Sequence, residues 1–109
     1  MKADRMISMI GLAKRTGRLV SGEFSTEQAV KNGSARLVIV AGDASDNTKK
    51  LFSDKCTYYK VPIIITKDKE KLGQAIGKEF RASVGILDES FAKAIIKINE
   101  ERADAYESS

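Results

Sequence analysis

The stretch ARLVIVAG, residues 35–42, is a continuous apolar run that indicates the fold class. It is rich in β-branched residues and is bounded by Gly33 and Gly42. A strand with one face in water alternates apolar and polar residues, whereas a strand covered on both faces does not. We therefore predict that residues 35–42 contain a strand buried on both faces of a sheet.

The segments on either side of this run alternate between helical periodicity and short apolar stretches. Apolar residues of ADRMISMIGLAKRTG (3–17) follow the i, i+3, i+4, i+7 spacing of one helix face, and Gly17 is suited to end that helix. In STEQAVKNG (25–33), Ser25 or Thr26 is expected to cap a second helix that ends at Asn32-Gly33. The remaining predicted elements are a strand in RLVSG (18–22), a helix in 43–60, a strand in VPIIIT (61–66), a helix in 67–77, a strand in SVGIL (83–87) and a helix in 88–109.

The resulting order, α-β-α-β-α-β-α-β-α, predicts an α/β protein built as a three-layer α/β/α sandwich around a small mixed sheet of about four strands. A chain of 109 residues fits one domain. We assign residues 1–98 to that domain and 99–109 to the polar, acidic end of the last helix and a C-terminal tail. Ligands of such folds bind at loops and helix ends along one sheet edge, which favours the connections 18–24 and 77–82.

Composition excludes several classes of function. The chain has no histidine, so the commonest general base and the commonest metal ligand are missing, and we expect neither an enzyme nor a metal or cofactor site. Its one cysteine, Cys56, is expected in the core. No apolar run approaches the ~20 residues of a membrane span, and the N-terminus lacks a secretory signal, so we predict a cytoplasmic protein without a membrane partner.

The net charge of +4 is unevenly distributed. Residues 1–42 carry +4, residues 43–97 carry +3, and residues 98–109 carry −3. This pattern is compatible with a polyanionic partner, although composition alone favours an ordinary solvated basic surface. Charge alone leaves both interpretations open.

Phe80 and Arg81 stand together in the connection between a predicted helix and a predicted strand. The simplest interpretation of Phe80 is a core residue folded under the loop. A ring beside a guanidinium is also the pair that stacks on an unpaired base and binds a phosphate, and Lys78 would add positive charge. The two residues alone do not decide between these alternatives.

A resemblance that extends from about Met6 to Ile95 bears on this choice. GLAKRTGRLVSGEFSTEQAVKNGSARLVIVAGDAS (11–45) and VPIIITKDKEKLGQAIGKEFR (61–81) resemble the ribosomal-protein family that includes archaeal L7Ae and eukaryotic L30e, and most closely its short bacterial YlxQ-type members. KLGQAIGK (71–78) matches the L-G-x-A-x-G-K signature, and GKEFR (77–81) resembles the L30e branch. The resemblance implies an α/β/α fold that binds structured RNA, typically a kink-turn, without catalysis.

The resemblance also implies where RNA would bind. Family members use G-x-N-E or G-x-K-S-T at the start of the second helix, a basic residue one turn later, and the loop before the last strand. Here Gly22 and the pair Ser25-Thr26 match, but Phe24 replaces the asparagine or lysine and Gln28 replaces the basic residue. Phe24 is expected either to stack on a base or to pack beneath the helix. The predicted RNA-binding residues are Gly22, Phe24, Ser25, Gln28, Lys31, Lys78, Phe80, Arg81 and Ala82; of the basic residues near the second helix, Lys14, Arg15, Arg18 and Lys31 are expected to form a phosphate-facing rim.

We therefore expect a non-enzymatic, monomeric RNA-binding protein of ribosomal-protein type. Its expected partner is structured RNA, a kink-turn or a related bent or internal-loop motif, in ribosomal RNA or on the ribosome. The alternative is a protein-interaction module on the same fold, with weak or lost specific RNA binding.

Overall fold

The computed structural model describes residues 4–108 of the chain, with side chains described for residues 4–101. Residues 1–3 and 109 of the predicted domain and tail lie outside the described residues. The elements follow the predicted order, namely α1 (Arg5–Arg15), β1 (Leu19–Ser21), α2 (Glu23–Lys31), β2 (Leu37–Val40), α3 (Asp46–Tyr59), β3 (Ile63–Ile65), α4 (Lys69–Ala75), β4 (Ser83–Ile86) and α5 (Glu89–Ser108).

The four strands form one mixed sheet in the order β1-β4-β2-β3. β4 pairs antiparallel with both β1 and β2, whereas β2 and β3 are parallel. Every residue of β2 is buried, which confirms the prediction from residues 35–42. The carboxyl ends of β1, β2 and β3 and the start of β4 therefore meet at one end of the sheet, which we call the upper edge; Ser21, Val40, Ile65 and Ser83 mark it. The opposite end is the lower edge.

Helices cover both faces of the sheet and complete the predicted three layers. α2 and α3 pack together on one face, and α1, α4 and α5 lie on the other. Side chains of the core come from both helix layers and from the sheet; the largest that are fully buried are Phe52, Met6, Ile10, Leu37, Ile39, Leu72, Ile86, Ile95, Val30, Val38, Val40 and Val84. The α/β/α sandwich predicted from the sequence is confirmed.

The single cysteine lies in this core, as predicted. Cys56 is buried on the inner face of α3, and burial raises the pKa of its thiol to about 11. Because the thiolate is the reactive form, a thiol with so high a pKa is inert at neutral pH. Cys56 is therefore a packing residue.

Four of the five described helices begin with a side chain that accepts a hydrogen bond from the first turn. The caps are Asp4 for α1, Ser45 for α3, Asp68 for α4 and Asp88 for α5. α2 differs, since its N-cap is Gly22, at φ +91°, without a side-chain hydrogen bond. The prediction that Ser25 or Thr26 caps α2 is wrong, because the positive φ of Gly22 turns the chain directly from β1 into a helix that starts at Glu23.

Two features are absent from the described part of the chain. None of the helices within residues 4–108 combines the length and the apolar composition needed to cross a membrane. Among the same residues, no group of three or more Cys, Asp or Glu side chains is arranged to hold a metal ion.

Candidate functional site

The start of α2 and the loop before β4 meet at the upper edge of the sheet. Ser21, the last residue of β1, is paired with Val84, and the Gly22 amide donates to the Ser83 carbonyl over 2.9 Å. Across the same junction, Arg81 Nε donates to Ser21 Oγ over 3.1 Å. Both predicted segments therefore belong to one continuous surface. We call it the upper-edge site and define it by Gly22, Phe24, Ser25, Lys78, Phe80 and Arg81.

The first turn of α2 leaves backbone donors open at this site. The first four amides of a helix have no partner within the helix, and at the other four described helices a side chain accepts one of them. Gly22 has no side chain that could accept such a hydrogen bond, and no side chain caps the first turn of α2. Its first turn therefore presents N–H groups and the positive end of the helix dipole to an outside acceptor. Glu23, also in this turn, is exposed and competes with an anion for the same field.

Phe24 projects into solvent from this turn. Its side chain is 75% exposed, so the alternative in which it packs beneath the helix is wrong. Gln28 and Lys31 follow at helical spacing, four and seven residues later, and both are exposed. The three side chains form an exposed stripe along α2, and Lys31 is held in it by an ion pair with Glu27 (Nζ to Oε2, 3.4 Å).

Phe80 is also exposed, at 54%, in contrast to the fully buried Phe52. The interpretation of Phe80 as a core residue is therefore wrong. Its loop runs tightly along α4, because a Cβ added at Gly73 would come within 2.7 Å of the Glu79 carbonyl oxygen. Gly73, within the KLGQAIGK signature, is thus a residue that positions the loop, a role that the sequence alone does not indicate. Ala82 anchors the end of the loop, where its carbonyl accepts a 2.8 Å hydrogen bond from Ala41.

Arg81 is half-buried and held in place by hydrogen bonds. Besides the bond to Ser21, its Nη1 donates to the Phe80 carbonyl over 2.8 Å, and its backbone amide donates to Lys69 over 3.0 Å. A guanidinium has five N–H donors, so three remain for an outside acceptor. Ser21 is not predicted from the sequence, because no local pattern signals a residue whose role depends on the β1–β4 pairing.

The structure does not bring Lys14, Arg15 and Arg18 of the predicted basic rim to this site. Arg18 precedes β1 at the lower edge, where its Nε lies 3.5 Å from Asp88 Oδ1 and its carbonyl accepts from Leu87. Lys14 and Arg15 lie in the last turn of α1, next to Arg18, and favourably oppose the helix dipole there. These three residues are not part of the upper-edge site, because β1 lies between them and Gly22.

Comparison with known proteins identifies the family. The model of the Ribosomal protein L7Ae/L30e/S12e/Gadd45 family matches residues 4–96. The chain belongs to this family. The matched range agrees with the resemblance from about Met6 to Ile95, and the L7Ae family is non-enzymatic, as we predicted for this protein.

Two relatives within the L7Ae family are similar over most of their length. The chain is 42% identical over 90 residues to the RNA-binding protein YlxQ of Bacillus subtilis (strain 168), covering 83% of this chain and 90% of that protein. It is 44% identical over 90 residues to the RNA-binding protein YlxQ of Enterococcus faecium, covering 83% and 86%.

Solved structures show the same fold. A protein with unknown function from Bacillus halodurans C superimposes with a TM-score of 0.86 at 36% identity, over 88% of this chain and 97% of the other. The Giardia lamblia 15.5kD RNA binding protein superimposes with a TM-score of 0.75 over 93% and 90%. Its identity is 18%, so this second likeness supports the L7Ae-family fold alone.

Proposed function

We propose that the protein binds structured RNA through the upper-edge site and catalyses no reaction. The RNA is a kink-turn or a related bent or internal-loop motif, and ribosomal RNA is the source we favour. Membership in the L7Ae family and the similarity to proteins named RNA-binding protein YlxQ support this proposal.

The observation that carries the proposal is the hydrogen bond from Arg81 Nε to Ser21 Oγ. It joins the loop of Phe80 to the residue before Gly22. As a result, a guanidinium with free donors lies beside a glycine that gives close access to open helix amides. Exposed phenylalanine rings stand on the two segments that this bond connects.

This surface suits RNA in which some nucleotides are unpaired. The major groove of an A-form helix is too deep and narrow for side chains, so a small protein recognises RNA by its shape and by bases that are splayed out of the helix. Base–aromatic stacking contributes about 1–3 kcal/mol per base, and Phe24 and Phe80 are free to stack. The open amides of α2 and the free donors of Arg81 supply phosphate contacts.

Two departures from the family pattern adjust the expected specificity. Phe24 cannot make the base-edge hydrogen bonds of an asparagine, and Gln28 cannot neutralise a phosphate as a basic residue does. Stacking therefore replaces part of the hydrogen-bonded recognition in this protein. We propose that it discriminates between RNAs by their unpaired nucleotides more than by the paired bases of a standard kink-turn.

Binding titrations at two salt concentrations test the proposal. The probes are a kink-turn RNA, a plain duplex and ribosomal RNA fragments. The variants are Phe80→Ala and Arg81→Ala, with Leu12→Ala and Lys93→Gln as matched controls on exposed helix faces away from the site. We expect the structured RNAs to bind more tightly than the duplex, and each site variant to weaken that binding about fivefold or more.

Two results would overturn the proposal. Equal, weak binding of all RNAs, unaffected by Phe80→Ala and Arg81→Ala, would leave the protein-interaction module as the better account. A salt dependence that is abolished by substituting Lys14 and Arg15 would assign RNA binding to non-specific phosphate attraction at the lower edge.

A further inference from the structure

Two adjacent tyrosines form an exposed aromatic surface at the C-terminal end of α3. Tyr58 is 77% exposed and Tyr59 40% exposed, with ring centroids 4.8 Å apart and planes inclined at 75°. They line an open groove of about 510 Å³ together with Leu51, Asp54 and Lys55. This surface is separate from the upper-edge site, because α3 begins at the upper edge and ends at the lower one.

Lysines outnumber acids among the charged side chains of the groove, their ion-pair partners and the residue that follows Tyr59. Glu27 Oε2 lies 3.4 Å from Lys31 Nζ and 4.0 Å from Lys55 Nζ, so one carboxylate is shared by two lysines. Asp54 is paired with Lys50 over 3.0 Å. Lys60 follows Tyr59 directly and is exposed. Four lysines against two carboxylates leave a net charge of +2, which complements a polyanion.

The lysines connect this surface to the upper-edge site. The ion pair between Glu27 and Lys55 joins α2 to α3, and Lys31 ends the exposed stripe that begins at Phe24. At 1.5 Å per residue, this stripe is about 10 Å long. A nucleic-acid strand that leaves the start of α2 therefore reaches the tyrosines along an exposed and partly basic path.

The upper-edge site also needs phosphate contacts from elsewhere. It offers the side chains of Lys78 and Arg81, and Glu23 and Glu79 lie in the same two segments. Binding to RNA gains affinity with each phosphate that a cation neutralises. The lysines near Tyr58 are a larger source of positive charge next to the stripe.

We infer that Tyr58, Tyr59, Lys31, Lys55 and Lys60 form a second RNA-contact surface. It binds a single-stranded segment that flanks the structured part of the RNA. One base stacks on the ring of Tyr58, the more exposed of the two, and the lysines contact the neighbouring phosphates. The inference rests on the proposed function, since it assumes that the upper-edge site holds the structured part.

Two forms of one RNA test the inference. The first is a kink-turn hairpin, and the second is the same hairpin with a single-stranded uridine extension of about ten nucleotides. Tyr58→Ala is expected to weaken binding of the extended RNA about fivefold to tenfold and to leave binding of the hairpin unchanged. Tyr58→Phe, which keeps the ring, is expected to bind like the wild type. Phe80→Ala is expected to weaken both complexes.

Lys60→Gly separates a role in binding from a role in folding. Lys60 has φ +60°, a conformation that glycine adopts without strain, so the variant should be at least as stable as the wild type. It should nevertheless bind the extended RNA several-fold more weakly, whereas Lys93→Gln, which removes one charge from α5, should not. Unchanged binding by Lys60→Gly would count against the inference.

Tyrosine fluorescence gives a direct readout, because the chain has three tyrosines and no tryptophan. In a Tyr106→Phe background, the signal comes from Tyr58 and Tyr59, and stacking of the extension should quench it. If Phe80→Ala weakens both RNAs but Tyr58→Ala weakens neither, the second surface is wrong and the proposed function stands. If Phe80→Ala changes neither complex, the proposed function fails. A dimer of the free protein that Tyr58→Ala dissociates would assign the surface to self-association and overturn the inference.

Discussion

The starts of α2 and α3 lie at the same edge of the sheet but are built differently. Ser45 caps α3, where its hydroxyl accepts from the Thr48 amide over 3.1 Å. Gly22 caps α2 without a side chain and leaves the first amides open. A glycine cap costs only a few tenths of a kcal/mol relative to serine, so the open terminus is obtained at little expense in stability. One helix start is completed by the protein itself, and the other is left for a ligand.

The largest effect is expected from Gly22→Ala, which disturbs the open terminus. Gly22 has φ +91° and ψ 160°, a region that is essentially restricted to glycine. No atom outside Gly22 and its two chain neighbours lies within 4 Å of the position of an added Cβ, so the effect comes from backbone conformation rather than from a clash. We expect a loss of about 1–3 kcal/mol in the free energy of unfolding, measured by urea denaturation, together with weaker RNA binding. An unchanged unfolding midpoint would show that the turn into α2 has another conformation.

Ser45→Ala tests the capped start of α3. It should lower the free energy of unfolding by about 1 kcal/mol, because the hydrogen bond from the Thr48 amide to the Ser45 hydroxyl is lost. RNA affinity at the same temperature should change less than twofold, because the capped start of α3 is not part of the upper-edge site. Urea denaturation measures the loss of stability, and an RNA titration on the same preparation measures the affinity. Ser45→Gly is the control, with an expected cost of only a few tenths of a kcal/mol. A clear loss of RNA affinity with Ser45→Ala would break the distinction between the two helix starts.

Phe24→Glu should move stability and binding in opposite directions. An added negative charge in the first turn of α2 complements the helix dipole and is expected to stabilise the protein by about 0.3–1 kcal/mol at low salt. The same charge repels phosphate and removes a stacking ring, so RNA binding should weaken. Phe24→Gln is the uncharged control, which loses the ring without gaining the charge. Equal RNA affinities of the wild type, Phe24→Glu and Phe24→Gln would place the ligand away from α2.

The last expected effect concerns the charged cap of α1. Burial tends to raise the pKa of Asp4, but hydrogen bonds from the Lys67 ammonium and the Ile7 amide outweigh it, so the pKa lies below the usual value of 3.8. A carboxyl group with a lowered pKa stabilises the folded state above its unfolded pKa, and this contribution is lost as the pH falls through the folded pKa.

Asp4→Asn isolates this charge, since asparagine caps a helix about as well as aspartate. We expect it to lower stability by about 1 kcal/mol at pH 7, because it removes the carboxylate that pairs with the nearly buried Lys67 ammonium, whereas the partial exposure of Asp4 limits the loss. The difference from the wild type should vanish well below pH 3.8. Urea denaturation of the wild type and Asp4→Asn, at pH 7 and well below pH 3.8, measures this difference in stability. A difference that persists in acid would show that the effect comes from packing and not from charge.

For the candidate site, the sequence alone predicted two segments that the structure brings together, but not their geometry. Gly22 and Phe80-Arg81 were singled out by their position in connections and by the family motifs. The exposure of Phe24 and Phe80 could not be decided, because a phenylalanine in a connection packs inward or outward according to what surrounds it. The charge of Arg18 predicts a place in the phosphate-facing rim, but Arg18 precedes β1 and so lies at the other end of the sheet from Gly22.

The sequence by itself determined the order of the elements, the buried strand β2 and the core position of Cys56. These features follow from local periodicity and hydrophobicity, which act over a few neighbouring residues. The tertiary structure alone decided the strand order β1-β4-β2-β3 and the contact between Ser21 and Arg81. Those two residues are 60 positions apart, and only the pairing of β1 with β4 brings them together. The upper-edge site exists because long-range strand pairing joins two segments whose local sequences carry no signal of each other.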